Sequence, residues 1–190
     1  GVERDDAQAL KWAALGAKAG HGDAQCRLGW YYDIGFSAEQ SDEKAFFWYK
    51  KAAESGSPQG AYNLAWCYEH GQGTAVSERK AAQAFKKAAE LGHSGAQYSI
   101  GWRYANGTGV KKDFKLAAYW YQRAAEQEHS SACNNLGVLY TRGQGVSVDY
   151  TEAVRLFELA IQYDPENGHA LHSLGDCYER GWGVEQNLTK

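Results

Sequence analysis

The sequence predicts an all-α solenoid built from stacked helix pairs, and three observations lead to this prediction. One short pattern recurs five times in the 190 residues, at spacings of 36, 36, 36 and 38. Within each copy, apolar and small residues recur at the intervals that one face of an α-helix requires. Glycine occupies 22 positions and proline only 2, which suits short helices joined by tight turns. The anchors of the five copies are Leu28-Gly29, Leu64-Ala65, Ile100-Gly101, Leu136-Gly137 and Leu174-Gly175.

The first helix of each pair is described by positions counted from the first anchor residue. Positions −4, 0 and +1 carry small or apolar residues, and a tyrosine stands at +4 in every copy, where we expect it to pack between helices. A glycine follows at +7 and predicts a left-handed C-cap, a conformation that costs little without a Cβ. The tyrosines are Tyr32, Tyr68, Tyr104, Tyr140 and Tyr178.

The second helix of each pair carries another apolar stripe. Its first clear example runs through Ala45, Trp48, Tyr49, Ala52 and Ala53, and the next three copies keep the same spacing. A second glycine at +9 shortens the connecting turn in four copies, whereas the first copy lacks it. Both prolines lie between one pair and the next, where no helix has to continue.

The period and these residue types resemble the Sel1-like repeat family, which is related to the tetratricopeptide repeat. The third copy matches best, at Ala96, Ile100, Gly101, Tyr104, Gly107, Gly109, Val110, Asp113, Ala117, Trp120, Tyr121, Ala124 and Ala125. The resemblance covers the whole chain and implies a right-handed superhelical α/α solenoid whose first helices line a concave groove. Two departures are Thr74, where the family has valine, and a junction at 163–168 that is two residues longer than the others.

The repeats predict one solenoid domain over residues 1–190. In this prediction residues 1–22 form a lone second helix, 23–58, 59–94, 95–130 and 131–168 form full repeats, and 169–190 begin a further repeat with its first helix. Neither end carries the polar cap that a solenoid needs. The chain also lacks methionine, and residues 186–190 resemble the opening of another second helix. We therefore expect a fragment of a longer array.

The candidate partner-binding residues lie at the positions that face the groove in the related tetratricopeptide geometry. Aromatic side chains are the preferred anchors of protein interfaces, and they fill the groove positions of the early repeats. The later repeats offer polar groups suited to polar or acidic parts of a partner. The predicted groove set is Trp30, Tyr62, Trp66, Tyr98, Trp102, Asn134, Arg142, His172 and Arg180. The alternative for the tryptophans is that each packs against the neighbouring repeat, and the sequence leaves both open.

Several function classes find little support in the sequence. The net charge of −3 gives no electrostatic reason for nucleic-acid binding, and no apolar run approaches the roughly 20 residues of a membrane span. No nucleophile–base motif or phosphate loop occurs. Three histidines recur at the junctions between repeats, about one repeat apart, which is too far to share a metal ion. We therefore expect no cofactor and no metal site.

The sequence thus predicts a non-catalytic scaffold or adaptor that binds a protein or peptide partner in its groove. Two alternatives stay open. Disulfide-rich relatives imply binding or hydrolysis of cell-wall or β-lactam-like compounds, and an architectural spacer would need no ligand. The four cysteines all fall on first helices, so we expect free buried thiols, which favour a reducing compartment. Acceptor sequons at Asn106 and Asn187 keep a secretory or periplasmic location open.

Overall fold

The computed structural model describes residues 5–184, which form ten α-helices and no β-strand. The predicted all-α repeat fold of helix pairs is confirmed. The helices are α1 (Asp6–Lys18), α2 (Gly22–Ile34), α3 (Asp42–Glu54), α4 (Pro58–His70), α5 (Glu78–Glu90), α6 (Ser94–Asn106), α7 (Phe114–Ala125), α8 (Ser130–Arg142), α9 (Tyr150–Tyr163) and α10 (Gly168–Arg180). Within this described part, no helix is both long and apolar enough to span a bilayer.

The turn inside each helix pair is closed by the same set of backbone interactions. The +7 glycine ends the first helix in the left-handed region, as at Gly71 with φ 76°. The second helix then begins at a serine or aspartate whose side chain accepts a backbone N–H of its first turn, as Ser77 does from Lys80. The backbone N–H of Ser77 also donates to the carbonyl of Tyr68 at 2.8 Å, and the same bond recurs in three other pairs. This bond ties the start of the second helix to the +4 tyrosine.

The anchor glycines let the two helices of a pair approach closely. A Cβ on Gly29 would lie 2.8 Å from the ring of Tyr49, and a Cβ on Gly101 would lie 2.8 Å from the ring of Tyr121. Such distances are shorter than van der Waals contact, so the aromatic ring of the second helix occupies the space that a side chain would need. The Leu-Gly anchor therefore combines a buried apolar residue with a glycine against which an aromatic ring of the second helix packs.

The described residues form two compact units, divided between Ala96 and Gln97 in the first turn of α6. In the first unit α2 packs on α1, α3 and α4, and α4 packs on α5. Its core is rich in alanine, with the larger side chains of Tyr49 and Phe85 also buried. In the second unit α8 packs on α7 and α9, around a cluster that includes Tyr121, Leu136 and Leu156.

Two non-glycine residues adopt the left-handed conformation that glycine adopts in other repeats. Glu128 has φ 60° at the junction position where Gly56 has φ 83° and Gly92 has φ 93°. Ser37 has φ 49° at position +9, where the later copies have glycine. At Gly73, one of those glycines, a Cβ would collide with the Asp42 carbonyl of the preceding second helix. Gly73 is thus favoured both by its conformation and by this close approach.

The lone helix and the final first helix of the sequence prediction correspond in position to α1 and α10. The predicted opening of another second helix at 186–190 lies outside the described residues, as does the sequon at Asn187.

Candidate functional site

Three tryptophans share position +2 on α2, α4 and α6, and all three are exposed to a similar degree. The exposed fractions are 45% for Trp30, 43% for Trp66 and 42% for Trp102. By contrast, Trp120 on the second helix α7 is 6% exposed and belongs to the core. Nearly half of each +2 indole is therefore available to a partner, which a tryptophan serving only to pack one repeat on the next would not need.

A pocket of about 340 Å³ lies between α2 and α4 in the first unit, and we call it the α2–α4 pocket. It brings together three residues of the predicted groove set and four residues outside that set. The lining residues are Trp30, Asp33, Tyr49, Tyr62, Asn63, Trp66 and Gln72. Tyr49 is a core residue whose hydroxyl reaches the pocket, where it donates to Asp33 Oδ2 at 3.1 Å. Burial raises the pKa of this hydroxyl, with the Asp33 charge adding to the effect, so Tyr49 stays a hydrogen-bond donor.

Both indoles of this pocket are held by aromatic neighbours on their own helix or its turn. The His70 ring stacks on Trp66 with centroids 4.4 Å apart and planes 7° apart, and His70 Nδ1 lies 3.1 Å from the Trp66 carbonyl. The Trp30 ring lies 5.6 Å from Tyr31 and 6.3 Å from Phe36. These contacts orient the indoles before any partner arrives, which lowers the entropy cost of binding.

The two predicted groove tyrosines have structural partners in the junction histidines. Tyr62 stacks on His93 with centroids 4.3 Å apart, and Tyr98 stacks on His129 at 4.7 Å. Tyr62 also lines the α2–α4 pocket, so it packs at the junction and contributes to the candidate site. The sequence shows histidine recurring at one junction position, and the structure explains His93 and His129 there by their packing on the tyrosine rings. Among the described residues, no group of three metal-ligating side chains is assembled.

In the described part of the second unit, pockets also lie between α6 and α8 and between α8 and α10. The pocket between α6 and α8, of about 290 Å³, is lined by Trp102 and Arg142 with Lys112 beside them. The pocket between α8 and α10, of about 360 Å³, brings Arg142, His172 and Arg180 together. We refer to the α2–α4, α6–α8 and α8–α10 pockets as the first-helix pockets.

The polar residues predicted for the groove differ in how available they are. Arg142 is exposed and, among the described residues, forms no ion pair. Arg180 lies over the Trp182 ring at 4.8 Å. Asn134 is 7% exposed, and its Oδ1 accepts a hydrogen bond from Ser173 Oγ at 3.2 Å. Asn134 therefore links α8 to α10, while the two arginines present charge to the α8–α10 pocket.

The cysteines are all free and buried, as the sequence predicted. Burial raises the pKa of the Cys26 thiol to about 11 and that of the Cys67 thiol to about 12. Burial also raises the pKa of Cys133 to about 11 and shifts that of Cys177 upward. The thiolate is the nucleophilic form, so these side chains are poorly suited to nucleophilic chemistry.

Helix pairs that recur along the chain, with pockets between successive first helices, define an α-solenoid repeat protein. The Sel1 repeat model matches residues 1–21, 22–57, 58–93, 94–129, 130–162 and 168–190, and the chain belongs to the Sel1 repeat family. Proteins of this family commonly serve as protein-interaction scaffolds.

Solved structures of Sel1 repeat proteins are similar to this chain over most of its length. A protective antigen of uropathogenic Escherichia coli is 36% identical with a TM-score of 0.88, over 97% of this chain and 39% of the antigen. A Sel1 repeat protein from Oxalobacter formigenes is 33% identical with a TM-score of 0.88, over 95% and 73% of the two chains. The chain thus spans about two fifths of the antigen. A comparison with curated proteins gives no match.

Proposed function

We propose that this chain is a non-catalytic interaction module that binds a peptide segment or helix of a partner protein at its first-helix pockets. The observation that carries the proposal is the shared exposure of Trp30, Trp66 and Trp102 at one helical position. Tryptophan contributes a large contact area while few rotamers are lost, and it is enriched among the residues that dominate binding energy. A structural role alone gives no reason for a nearly half-exposed indole in three successive first helices.

The pockets of the second unit carry charged side chains. Arg142 and Arg180 line the α8–α10 pocket together with His172 and Asp176, and the two arginines would hold a polar or acidic group of the partner. Asn134 takes part indirectly, because its bond to Ser173 fixes one wall of that pocket. The buried thiols with raised pKa support a binding role over nucleophilic catalysis.

A selection of peptide ligands tests the proposal. A phage-displayed library of random linear peptides is selected on the purified chain, and the affinities of enriched peptides are measured by fluorescence anisotropy. We expect Trp30→Ala or Trp66→Ala to weaken binding by roughly tenfold or more, the usual size for an interface anchor. Trp12→Ala is the matched control, because Trp12 is 66% exposed on α1 and lines none of the first-helix pockets.

Two results would contradict the proposal. A selection that enriches no specific binder would argue against a peptide-binding surface. Peptides that bind Trp30→Ala and Trp66→Ala as tightly as the unmodified chain, while both variants keep their helical circular dichroism, would remove the pockets from the account.

A further inference from the structure

We infer that the α2–α4 pocket selects a cationic side chain, lysine or arginine, from the bound peptide. This inference rests on the proposed function and adds the chemistry of the ligand. It follows from three features of the pocket: a carboxylate without an ion-pair partner, indole walls, and a lining that carries no positively charged side chain.

The carboxylate is that of Asp33 on α2. Its Oδ2 accepts the hydrogen bond from the Tyr49 hydroxyl, and among the described residues no lysine or arginine pairs with it. Some other carboxylates do form ion pairs within the chain, as Glu152 does with Arg155. A partly buried carboxylate that keeps an oxygen available in a pocket gains most from a cation that the ligand supplies.

The walls are the indoles of Trp30 and Trp66, both of which line the pocket. The face of an indole attracts a cation within about 6 Å of the ring centroid, and tryptophan does so more strongly than the other aromatic residues. His70 orients Trp66 by stacking on it, so the pocket is largely formed before the ligand arrives. Two indoles and one carboxylate are the elements that recognise alkylammonium or guanidinium groups.

The other first-helix pockets lack this combination, because arginine side chains line both of them; in the α8–α10 pocket Arg142 and Arg180 accompany Asp176. In the α6–α8 pocket, Ala105 stands at the position of Asp33, and Lys112 and Arg142 supply positive charge. An adjoining cavity of about 570 Å³ also lies between α2 and α4 and shares Trp30 and Asn63 with the α2–α4 pocket. It is lined by Asp23 and Arg27, one charge of each sign. The preference for a cation is therefore specific to the α2–α4 pocket and does not follow from the repeat itself.

A double-mutant cycle on a selected peptide tests the inference. Each lysine of the peptide is replaced in turn by norleucine, which keeps the four side-chain carbons without the ammonium group. Each arginine is replaced by citrulline, which keeps the size of the side chain without its charge. Affinities are measured on the unmodified chain and on Asp33→Asn, whose amide oxygen can still accept the Tyr49 hydrogen bond. We expect one replacement to lower the affinity for the unmodified chain by about tenfold, and the affinity for Asp33→Asn by about threefold, because the indoles remain. Gln40→Ala is the control, because the Gln40 side chain donates to the Asp33 backbone carbonyl, so its loss leaves the carboxylate intact.

The outcomes separate the inference from the proposed function. If enriched peptides need Trp30 and Trp66 but share no lysine or arginine, the pocket binds peptides and the cationic specificity is wrong. The same conclusion follows if the replacement costs an equal factor on the unmodified chain and on Asp33→Asn. If the selection gives no binder, the proposed function fails and this inference fails with it.

Discussion

The imidazole of His93 stacks on the ring of Tyr62 with centroids 4.3 Å apart and planes 13° apart. His93 Nδ1 accepts the backbone N–H of Ala96 at 3.1 Å, and Nε2 lies 3.1 Å from Gln59 Oε1. One side chain thus caps α6 and supports a tyrosine of the candidate site. Burial lowers the pKa of His93 in the folded protein, and it lowers that of His129 at the next junction in the same way.

This arrangement predicts a loss of stability on mild acidification. A histidine whose pKa is lowered in the folded state binds fewer protons there than in the unfolded chain. The contribution of this histidine to the free energy of unfolding is fully present above its ordinary pKa of 6.5. It is lost as the pH falls from that value to the lower pKa of the folded state. Urea unfolding measures the free energy of unfolding at pH values of about 7.5 and 5. We expect the decrease between these two pH values to be smaller for the double variant His93→Asn, His129→Asn than for the unmodified chain. At position 93 asparagine keeps a side-chain acceptor for the Ala96 N–H, as Asn167 accepts from Ala170 at the start of α10.

His169→Asn is the matched control for this measurement. His169 is exposed near the start of α10, and its replacement should leave the pH dependence of unfolding close to that of the unmodified chain. An equal loss of stability in the double variant and in the unmodified chain would contradict the assignment of the acid sensitivity to the junctions.

The left-handed conformation of Glu128 predicts a stabilising substitution. Glu128→Gly should raise the free energy of unfolding by roughly 0.5–1 kcal/mol, because the strain of a side chain in this region exceeds the added entropy of glycine. The converse change, Gly92→Glu, should destabilise by about 1 kcal/mol. A Cβ on Gly92 meets no atom within 4 Å, so conformation alone decides the effect. Chemical denaturation checks both, and a loss of stability in Glu128→Gly would show the strain argument to be wrong.

The anchor glycines predict opposite effects of one substitution at equivalent positions. Gly101→Ala should destabilise by roughly 1–3 kcal/mol, since the new methyl group would lie 2.8 Å from the Tyr121 ring. Gly175→Ala should stabilise by about 0.5–1 kcal/mol, because within the described part of the chain the new methyl group would meet no neighbour within 4 Å, and alanine is the better helix former. Thermal unfolding compares the two variants. Similar effects in both would mean that the close approach of ring and backbone does not explain the anchor.

The buried thiols predict slow chemical labelling of the folded protein. A disulfide reagent at a pH of about 8 should react with Cys26, Cys67, Cys133 and Cys177 only slowly, because burial raises every thiol pKa and blocks access. All four should react rapidly after unfolding in guanidinium. Rapid labelling of a cysteine in the folded chain would identify an exposed, reactive thiol and weaken the case against nucleophilic chemistry.

The parts of the fold that recur along the chain could be predicted from the sequence. Gly71 and its equivalents marked the helix ends, and the exposed +2 tryptophans were recognisable as groove candidates. Periodicity carries this information, because a residue type that returns at one position must serve the same local geometry each time.

Features that depend on a single neighbour could not be predicted in this way. The sequence predicts Asn134 as a polar groove residue. In the structure it is buried where α8 packs against α10, and it accepts a hydrogen bond from Ser173 on α10. Arg103 is 1% exposed although its type predicts the surface, and it donates to the Thr108 carbonyl at 3.5 Å. The hydrogen bond between Asp33 and Tyr49 depends on the packing of α2 against α3, which the sequence does not show. Contacts between elements decide these cases.

The indole N–H signals of the tryptophans give the most direct test of the central claim, that partners bind at the first-helix pockets. Two-dimensional ¹⁵N NMR resolves one such signal for each of the seven tryptophans, and Trp→Phe variants assign them. On addition of a selected peptide, we predict that the signals of Trp30 and Trp66 shift while those of exposed Trp12 and buried Trp120 stay in place. Shifts confined to Trp12, with Trp30 and Trp66 unmoved at saturating peptide, would contradict the claim.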